Sequence, residues 1–170
     1  MEAAGFRTVR DTSTPKGATK GCIFKNCNTF GQLASTNPSS IAAGFILGND
    51  TRTSTITNCS SFSNDGNTNG FGIGIELVST TTNIYIEHSN VSNNISNAKN
   101  KGIGIRDSTA SAINLLAYNF AFNNRDTIGT QPQNNYSLSY STANVIADTD
   151  IVDLASITLP TIKNISITPY

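Results

Sequence analysis

The chain repeats itself with a period of thirty residues, and this repeat restricts its fold more than any other feature. Segments 44–64, 74–94 and 104–124 stand in register. Each segment opens with a glycine followed by phenylalanine or isoleucine, and each closes with an asparagine. A fixed period of this size is typical of solenoids, in which each unit buries its apolar residues against its neighbours. The repeat therefore predicts a stack of similar units.

Within each unit the apolar residues alternate with a period of two, which indicates half-buried β-strands. The first strand of the three units carries Ala43, Phe45 and Leu47, then Ile73, Ile75 and Leu77, then Ile103 and Ile105. The second strand carries Ile56, Ile86 and Leu116, and Ile146 continues this row in a further unit. The third, shorter strand carries Phe62, Val91 and Phe122, with Val91 one residue out of register.

Three short strands in the same order in each unit predict an all-β fold, a single-stranded parallel β-helix of about four to five coils of about thirty residues. We assign residues 1–20 to an N-terminal arm or cap, 21–153 to the coils, and 154–170 to a closing coil or cap strand. Only 13% of the residues are charged and the formal net charge is zero. The chain therefore has no basic surface for nucleic acid, and no apolar run is long enough for membrane insertion.

The segment TNIYIEHSNVSNN at 82–94, with GIGI at 102–105 and the counterparts in the flanking units, resembles the PbH1-type repeats of the pectin-lyase-like superfamily. The resemblance covers roughly residues 21–152. It implies a right-handed parallel β-helix, which also follows the general handedness of parallel crossovers. Members of this superfamily are often polysaccharide lyases or glycoside hydrolases. The Asn-His-Gly-type and Arg-x-Lys-type motifs associated with the polygalacturonase branch are absent from this sequence.

We expect no catalysis, because the sequence does not place two carboxylates on one groove as glycoside hydrolysis requires. Glu76 and Arg106 lie thirty residues apart and are expected to form a surface ion pair between coils, worth about 1 kcal/mol or less. Asp107 is one step out of register and should face the other side of the strand. The lone histidine, His88, shares its coil position with Asn26, Asn58 and Tyr118 and is interpreted as part of a polar ladder at a turn. The candidates for a catalytic role, if one exists, are Glu76, Arg106, His88 and Asp148.

No cofactor is expected. The superfamily resemblance implies Ca²⁺ as the cation to consider, and Asp148 and Asp150 are the nearest match to a site for it. Two carboxylates on one strand supply only part of the shell of about six to eight oxygens that this ion takes. Cys22, Cys27 and Cys59 have no metal-ligand spacing. Cys27 and Cys59 occupy equivalent positions in adjacent coils, either as buried free thiols or as a strained disulfide.

The Asn- and Gly-rich loops after Asn64 and Asn94 recur at one place in the coil and form a repeated polar surface. The candidate binding residues are Asn67, Asn69, Asn97, Asn100, Tyr118 and Tyr136. A short β-helix leaves two open ends, so self-association or an assembly partner at the coil ends is expected. We predict a structural or binding module of an extracellular, cell-surface or virion assembly, with carbohydrate as a further partner, although the N-terminal residues show no signal-peptide core. The alternative is a polysaccharide lyase or glycoside hydrolase, or a fragment of one, acting on acidic glycans.

Overall fold

The described part of the chain contains fifteen β-strands and no helix. The computed structural model describes residues 2–8, 18–48, 50–78, 80–109 and 114–127, and the backbone of 134–138. The strands form parallel sheets that stack as a β-solenoid of about three turns, as the repeat predicts. This is fewer than the four to five coils expected. The residues that suggested a further coil, 145–152, and the predicted closing segment, 154–170, lie outside the described residues.

Three sheets form the walls. Sheet 1 contains β1 (Glu2–Thr8), β4 (Ile41–Leu47), β7 (Phe71–Leu77), β11 (Gly102–Asp107) and β15 (Asn134–Leu138). Sheet 2 contains β2 (Ile23–Lys25), β5 (Arg52–Thr57), β8 (Thr82–Glu87) and β12 (Leu115–Ala117). Sheet 3 contains β3 (Asn28–Phe30), β6 (Ser60–Phe62), β9 (Asn90–Ser92) and β13 (Phe120–Phe122). The short strands β10 (Ile95–Ser96) and β14 (Arg125–Asp126) pair with each other.

Fourteen of the strands group into four rungs along the axis, with β1–β3 in rung 1, β4–β6 in rung 2, β7–β10 in rung 3 and β11–β14 in rung 4, and β15 pairs with β11 beyond rung 4. The chain makes about three turns between rung 1 and rung 4. Strand β1 lies in the segment that we assigned to an arm or cap, and it pairs in parallel with β4 as the outermost strand of sheet 1. Its last residue, Thr8, is anchored by a 2.6 Å hydrogen bond between its hydroxyl and that of Thr51.

The predicted internal row of sheet 2 is confirmed. Ile56 pairs with Ile86 and Ile86 with Leu116, and all three side chains are fully buried in one apolar cluster. Phe24 extends the row into rung 1. Ile146, the fourth predicted member, lies outside the described residues. Apolar contact between rungs therefore stabilises this wall.

The alternation predicted for sheet 1 is wrong at one point in each strand. Phe45 belongs to the internal cluster, whereas Ala43 belongs to a second cluster on the outer face with Ile46, Ile73 and Ile103. The reason is Gly44, where an added Cβ would lie 1.9 Å from the internal hydroxyl Oγ of Ser61. Gly44 and Phe45 thus both face inward, and the strand changes face between Ala43 and Phe45. Strand β4 is also buried on both faces, whereas the alternation predicted a half-buried strand.

The third strand was also predicted with the wrong residues inside. The inward row is Ser61, Val91 and Ala121, which pair in register without a slip. Phe62 lies outside, 37% exposed, with its ring stacked on that of Phe30 at 5.6 Å between centroids. The interior is narrow beside sheet 3, because the backbone of Gly44 on sheet 1 lies close to the Ser61 side chain. Small residues therefore occupy the inner positions.

Candidate functional site

Four aromatic side chains, three of them exposed and one partly buried, lie at or beside the corner between sheets 2 and 3, on rungs 3 and 4. The rings of His88 and Tyr118 stack with their centroids 5.2 Å apart, and Tyr118 is 51% exposed. Tyr85, on the outer face of β8, is 46% exposed. Phe120 follows the corner on β13 and packs against Phe122, 4.8 Å between ring centroids. We call Tyr85, His88, Tyr118 and Phe120 the aromatic platform.

The corner backbone places these rings. The four residues at this turn have positive φ values of 56°, 50°, 50° and 54°, at Asn26, Asn58, His88 and Tyr118. Asparagine adopts this left-handed conformation at low cost, whereas a bulky side chain such as tyrosine is rare there. The predicted shared position of these four residues is confirmed. In rungs 3 and 4 the contact between neighbours is ring stacking.

Polar groups flank the platform. Glu87 lies between Tyr85 and His88 and is partly buried, and the exposed Asn90 begins the next strand. Tyr85 and His88 are three residues apart on a nearly extended backbone, which separates them by about 10 Å. The arrangement offers flat apolar rings with hydrogen-bonding groups between them, the combination by which proteins bind amphipathic rings such as sugars.

Glu76 and Arg106 come together as predicted, but not at the surface. Arg106 donates from Nε to Glu76 Oε2, and the side chains are only 15% and 2% exposed. Ser108 Oγ donates to the other carboxylate oxygen at 3.2 Å, and the Arg106 guanidinium lies 4.2 Å from the Phe71 ring centroid. Because the pair is desolvated, loss of one partner costs about 3 to 5 kcal/mol, well above the value expected for a surface pair.

Burial raises the pKa of Glu76, while Arg106 and Ser108 oppose that rise. Asp107 faces the interior as expected, where Thr109 and Asn114 donate to its carboxylate at 2.6 and 3.0 Å. Glu76 is on sheet 1 and His88 at the corner after sheet 2, so the structure does not bring these two catalytic candidates together. Asp148 and Asp150 lie outside the described residues.

The predicted loop surface is held together by its own hydrogen bonds. The Asn97 backbone N–H donates to the Asn67 carbonyl at 2.9 Å, and the Asn69 side chain donates to the Thr36 carbonyl at 3.4 Å. Lys101 Nζ donates to the carbonyls of Asn69 and Pro38 at 2.5 and 2.8 Å. Three successive loops are thereby fixed to one another.

Asp126 organises the last described loop. Its carboxylate accepts from the backbone N–H groups of Asn100, Lys101 and Gly102, the last two at 3.0 and 3.1 Å, and its side chain is buried. Asn69, Asn97 and Asn100 remain exposed, and Asn67 is partly buried. Tyr136 lies on β15 in register with Ile105, and its side chain lies outside the described part of the structure.

The described residues contain no group of three His, Cys, Asp or Glu side chains arranged to hold a metal ion. Cys22, Cys27 and Cys59 are free thiols, so the structure has no disulfide between Cys27 and Cys59; Cys59 is buried as expected, whereas Cys27 is only partly buried. Burial is the main cause of a raised pKa of the Cys59 thiol. In the part of the chain that the structure describes, no helix is long and apolar enough to cross a membrane.

Comparison of the chain with family models, curated proteins and solved structures gave no significant match. The assignment of a β-solenoid rests on the strand pairing in the structure. The sequence predicted Tyr118 as a binding residue and placed His88 at the same coil position, but it did not single out Tyr85 and Phe120. The signal for Tyr85 was available, because the alternation of Ile84, Tyr85 and Ile86 puts the tyrosine on the outer face.

Proposed function

We propose that this protein is a non-catalytic structural and binding module of an extracellular, cell-surface or virion assembly, and that its aromatic platform binds glycans. The solenoid would belong to the right-handed, pectin-lyase-like class that its repeats resemble. The rungs provide a rigid wall for the platform, and the coil ends provide contacts for assembly.

The observation that carries the proposal is the position of Tyr118. A tyrosine at φ 54° costs backbone strain of order 1 kcal/mol or more, whereas Asn58 at the equivalent corner position adopts this conformation readily. The Tyr118 ring is half-exposed and stacks on the ring of His88, which is also exposed. The backbone strain at Tyr118 therefore does not serve core packing. A flat surface that is costly to maintain and open to solvent is best explained by contact with a ligand.

Glycan binding is tested on an array of neutral and acidic glycans, followed by calorimetric titration with the strongest binder. Tyr118→Ala and Tyr85→Ala should each weaken binding about tenfold or more, in line with loss of one aromatic contact. Phe62→Ala is the matched control, because Phe62 is also an exposed, stacked aromatic residue but lies away from the platform. Equal affinity for the platform variants and the wild type would refute the glycan assignment.

The same samples test the enzymatic alternative. Incubation with polygalacturonate and other acidic glycans should give no new reducing ends and no unsaturated products. Cleavage that disappears in Glu76→Gln or in an Asp148 variant would replace the non-catalytic proposal with a lyase or hydrolase.

A further inference from the structure

Within the described residues, the apolar core ends at rung 1 in a partly exposed ring. The Phe6 ring faces the interior, stacked on Phe45 at 5.4 Å and 5.7 Å from Phe24 between centroids. Phe6 is nevertheless 39% exposed, whereas Phe45 beneath it is fully buried. Among the described residues, no strand pairs with β1 on its outer edge, so the Phe6 layer is the last apolar layer of the core that the structure describes at this end.

Exposed apolar side chains are concentrated on the same rung. Of the seven large hydrophobic side chains that are exposed within the described residues, four belong to rung 1: Phe6, Ile23, Phe30 and Leu33. Strands β1, β2 and β3 are also the outermost strands of their sheets. An edge of this kind presents backbone donors and acceptors beside apolar side chains, which favours pairing with another strand.

The positions of the charged residues on β1 favour a second copy of β1 as the strand that pairs with its edge. Glu2 and Arg7 are the two charged residues of β1, near its opposite ends, and their register partners are Ile41 and Ile46 on the outer face of sheet 1. They bridge each other at 2.5 Å, and their side chains remain 33% and 46% exposed. In an antiparallel pairing of two β1 strands centred on Ala4, the inward-facing residues Gly5 and Phe6 of one copy form a bulge opposite Ala3 of the other. Glu2 of one copy then lies opposite Arg7 of the other, and both side chains are on the outer face. Opposite charges directly across an antiparallel pair are favourable.

We propose that two copies of this chain associate head to head through rung 1, with the β1 strands antiparallel about a two-fold axis and Glu2 of each copy paired with Arg7 of the other. The contact covers the Phe6 layer of both cores. It is isologous and closes at two copies, so it gives a dimer and not a fibre. This inference rests on the assembly part of the proposed function and is independent of glycan binding.

The test exploits the two-fold symmetry. In Glu2→Arg, every copy has arginine at both positions, so a homodimer opposes like charges twice. Arg7→Glu does the same with glutamates. Each variant alone should raise the dimer dissociation constant about tenfold or more, measured by sedimentation equilibrium, because like charges at an interface are strongly unfavourable. An equimolar mixture should regain wild-type association, and native mass spectrometry should show the mixed species, since both cross-pairs are then of opposite sign.

Restoration in the mixture cannot arise from the bridge within one chain, because each single variant has lost that bridge. Arg52→Glu is the matched control. Arg52 is an exposed arginine that approaches Asp50 at 3.9 Å on sheet 2, and its reversal should leave association unchanged. Circular dichroism of both variants checks that they fold.

Three results would overturn the inference. A wild-type chain that stays monomeric throughout a dilution series refutes both the head-to-head contact and assembly through coil ends. If the wild type forms oligomers larger than a dimer and Glu2→Arg does not reduce them, the head-to-head contact is refuted, while assembly through the coil ends stands. A mixture that remains dissociated refutes the antiparallel register. Loss of glycan binding in Tyr118→Ala is scored separately and affects none of these outcomes.

Discussion

The side-chain amide of Asn94 donates to Asn124 Oδ1 at 2.7 Å, one rung further along the axis. Asn64 donates to Asn94 Oδ1 at the same distance, so the three asparagines form one internal ladder. All three are fully buried. Each backbone N–H of Asn64 and Asn94 donates to the same oxygen of the next asparagine, at 3.2 and 3.1 Å. The ladder supplies hydrogen bonds at a place in the core where backbone groups would otherwise lack partners.

Asn94→Ala should lower the free energy of unfolding by about 2 to 4 kcal/mol, because it removes an acceptor and a donor from buried groups on two neighbouring rungs. Urea denaturation measures the change. Asn90→Ala, four residues earlier and exposed, is the control and should change stability by less than about 0.5 kcal/mol. Equal effects of the two substitutions would show that the ladder does not stabilise the fold.

Gly44→Ala should destabilise the solenoid by about 3 kcal/mol or more, because the new methyl group would lie within 1.9 Å of Ser61 Oγ and 2.2 Å of Thr29 Oγ1. The measurement is the thermal midpoint together with the far-ultraviolet circular dichroism. Thr55→Ala, on the outer face of β5, should leave both nearly unchanged. A variant with wild-type stability would mean that the strand does not change face at this glycine.

Substitutions at Asp126 should rank in stability as wild type above Asp126→Asn above Asp126→Ala. The aspartate accepts three backbone N–H groups on two oxygens, asparagine keeps one acceptor oxygen, and alanine keeps none. Hydrogen exchange of the amides of Asn100, Lys101 and Gly102 reports the loss directly and should accelerate in the same order. Unchanged exchange in Asp126→Ala would contradict this account of the loop.

The raised pKa of Glu76 predicts a pH dependence of stability. In the unfolded chain the carboxyl ionises near its ordinary value of 4.5, whereas in the fold desolvation keeps it protonated to a higher pH. Between these two values the folded state binds more protons than the unfolded state, so stability falls as pH rises and levels off above the folded pKa. Urea denaturation across this range should show the decline in the wild type and a shallower slope in Glu76→Gln. A wild-type slope equal to that of the variant, or a rise, would contradict the prediction.

Cys59 should react with iodoacetamide more slowly than Cys22 and Cys27 at neutral pH. Its side chain is almost fully buried and burial raises the pKa of its thiol, so both access and thiolate fraction are low. Peptide mass spectrometry after timed alkylation measures the three rates. The same reaction in denaturant, where all three should react alike, is the control. Faster labelling of Cys59 in the folded chain would contradict the burial of its thiol.

The period of the sequence was sufficient to predict the solenoid, the order of its strands and the row of Ile56, Ile86 and Leu116. It could not reveal the change of face at Gly44, because a period of two assumes an unbroken strand, and the close approach to Ser61 arises only when the coil closes. The outward position of Phe62 was missed for a related reason. Apolarity alone predicts burial. Only the folded structure shows that the interior between sheets 1 and 3 is too narrow for a large ring.

The sequence reveals some members of the candidate site and not others, because different physical rules set their positions. His88 and Tyr118 share a position in the repeat, which the sequence reveals, and the structure adds the positive φ that makes Tyr118 unusual. The burial of Glu76 depends on what packs on the outer face of sheet 1, which local sequence patterns do not encode. The loop contacts of Lys101 join residues 32 and 63 positions apart and likewise follow from the completed fold.

The asparagine ladder has a direction, since the side-chain amides of Asn64 and Asn94 each donate to the asparagine one rung towards the carboxyl terminus. A gene that encodes such a column can therefore gain or lose whole repeats by duplication or deletion, because each new asparagine meets the same pair of partners. An insertion of a few nucleotides that shifts the repeat by one residue has no such tolerance, unless it falls in the loops outside the wall.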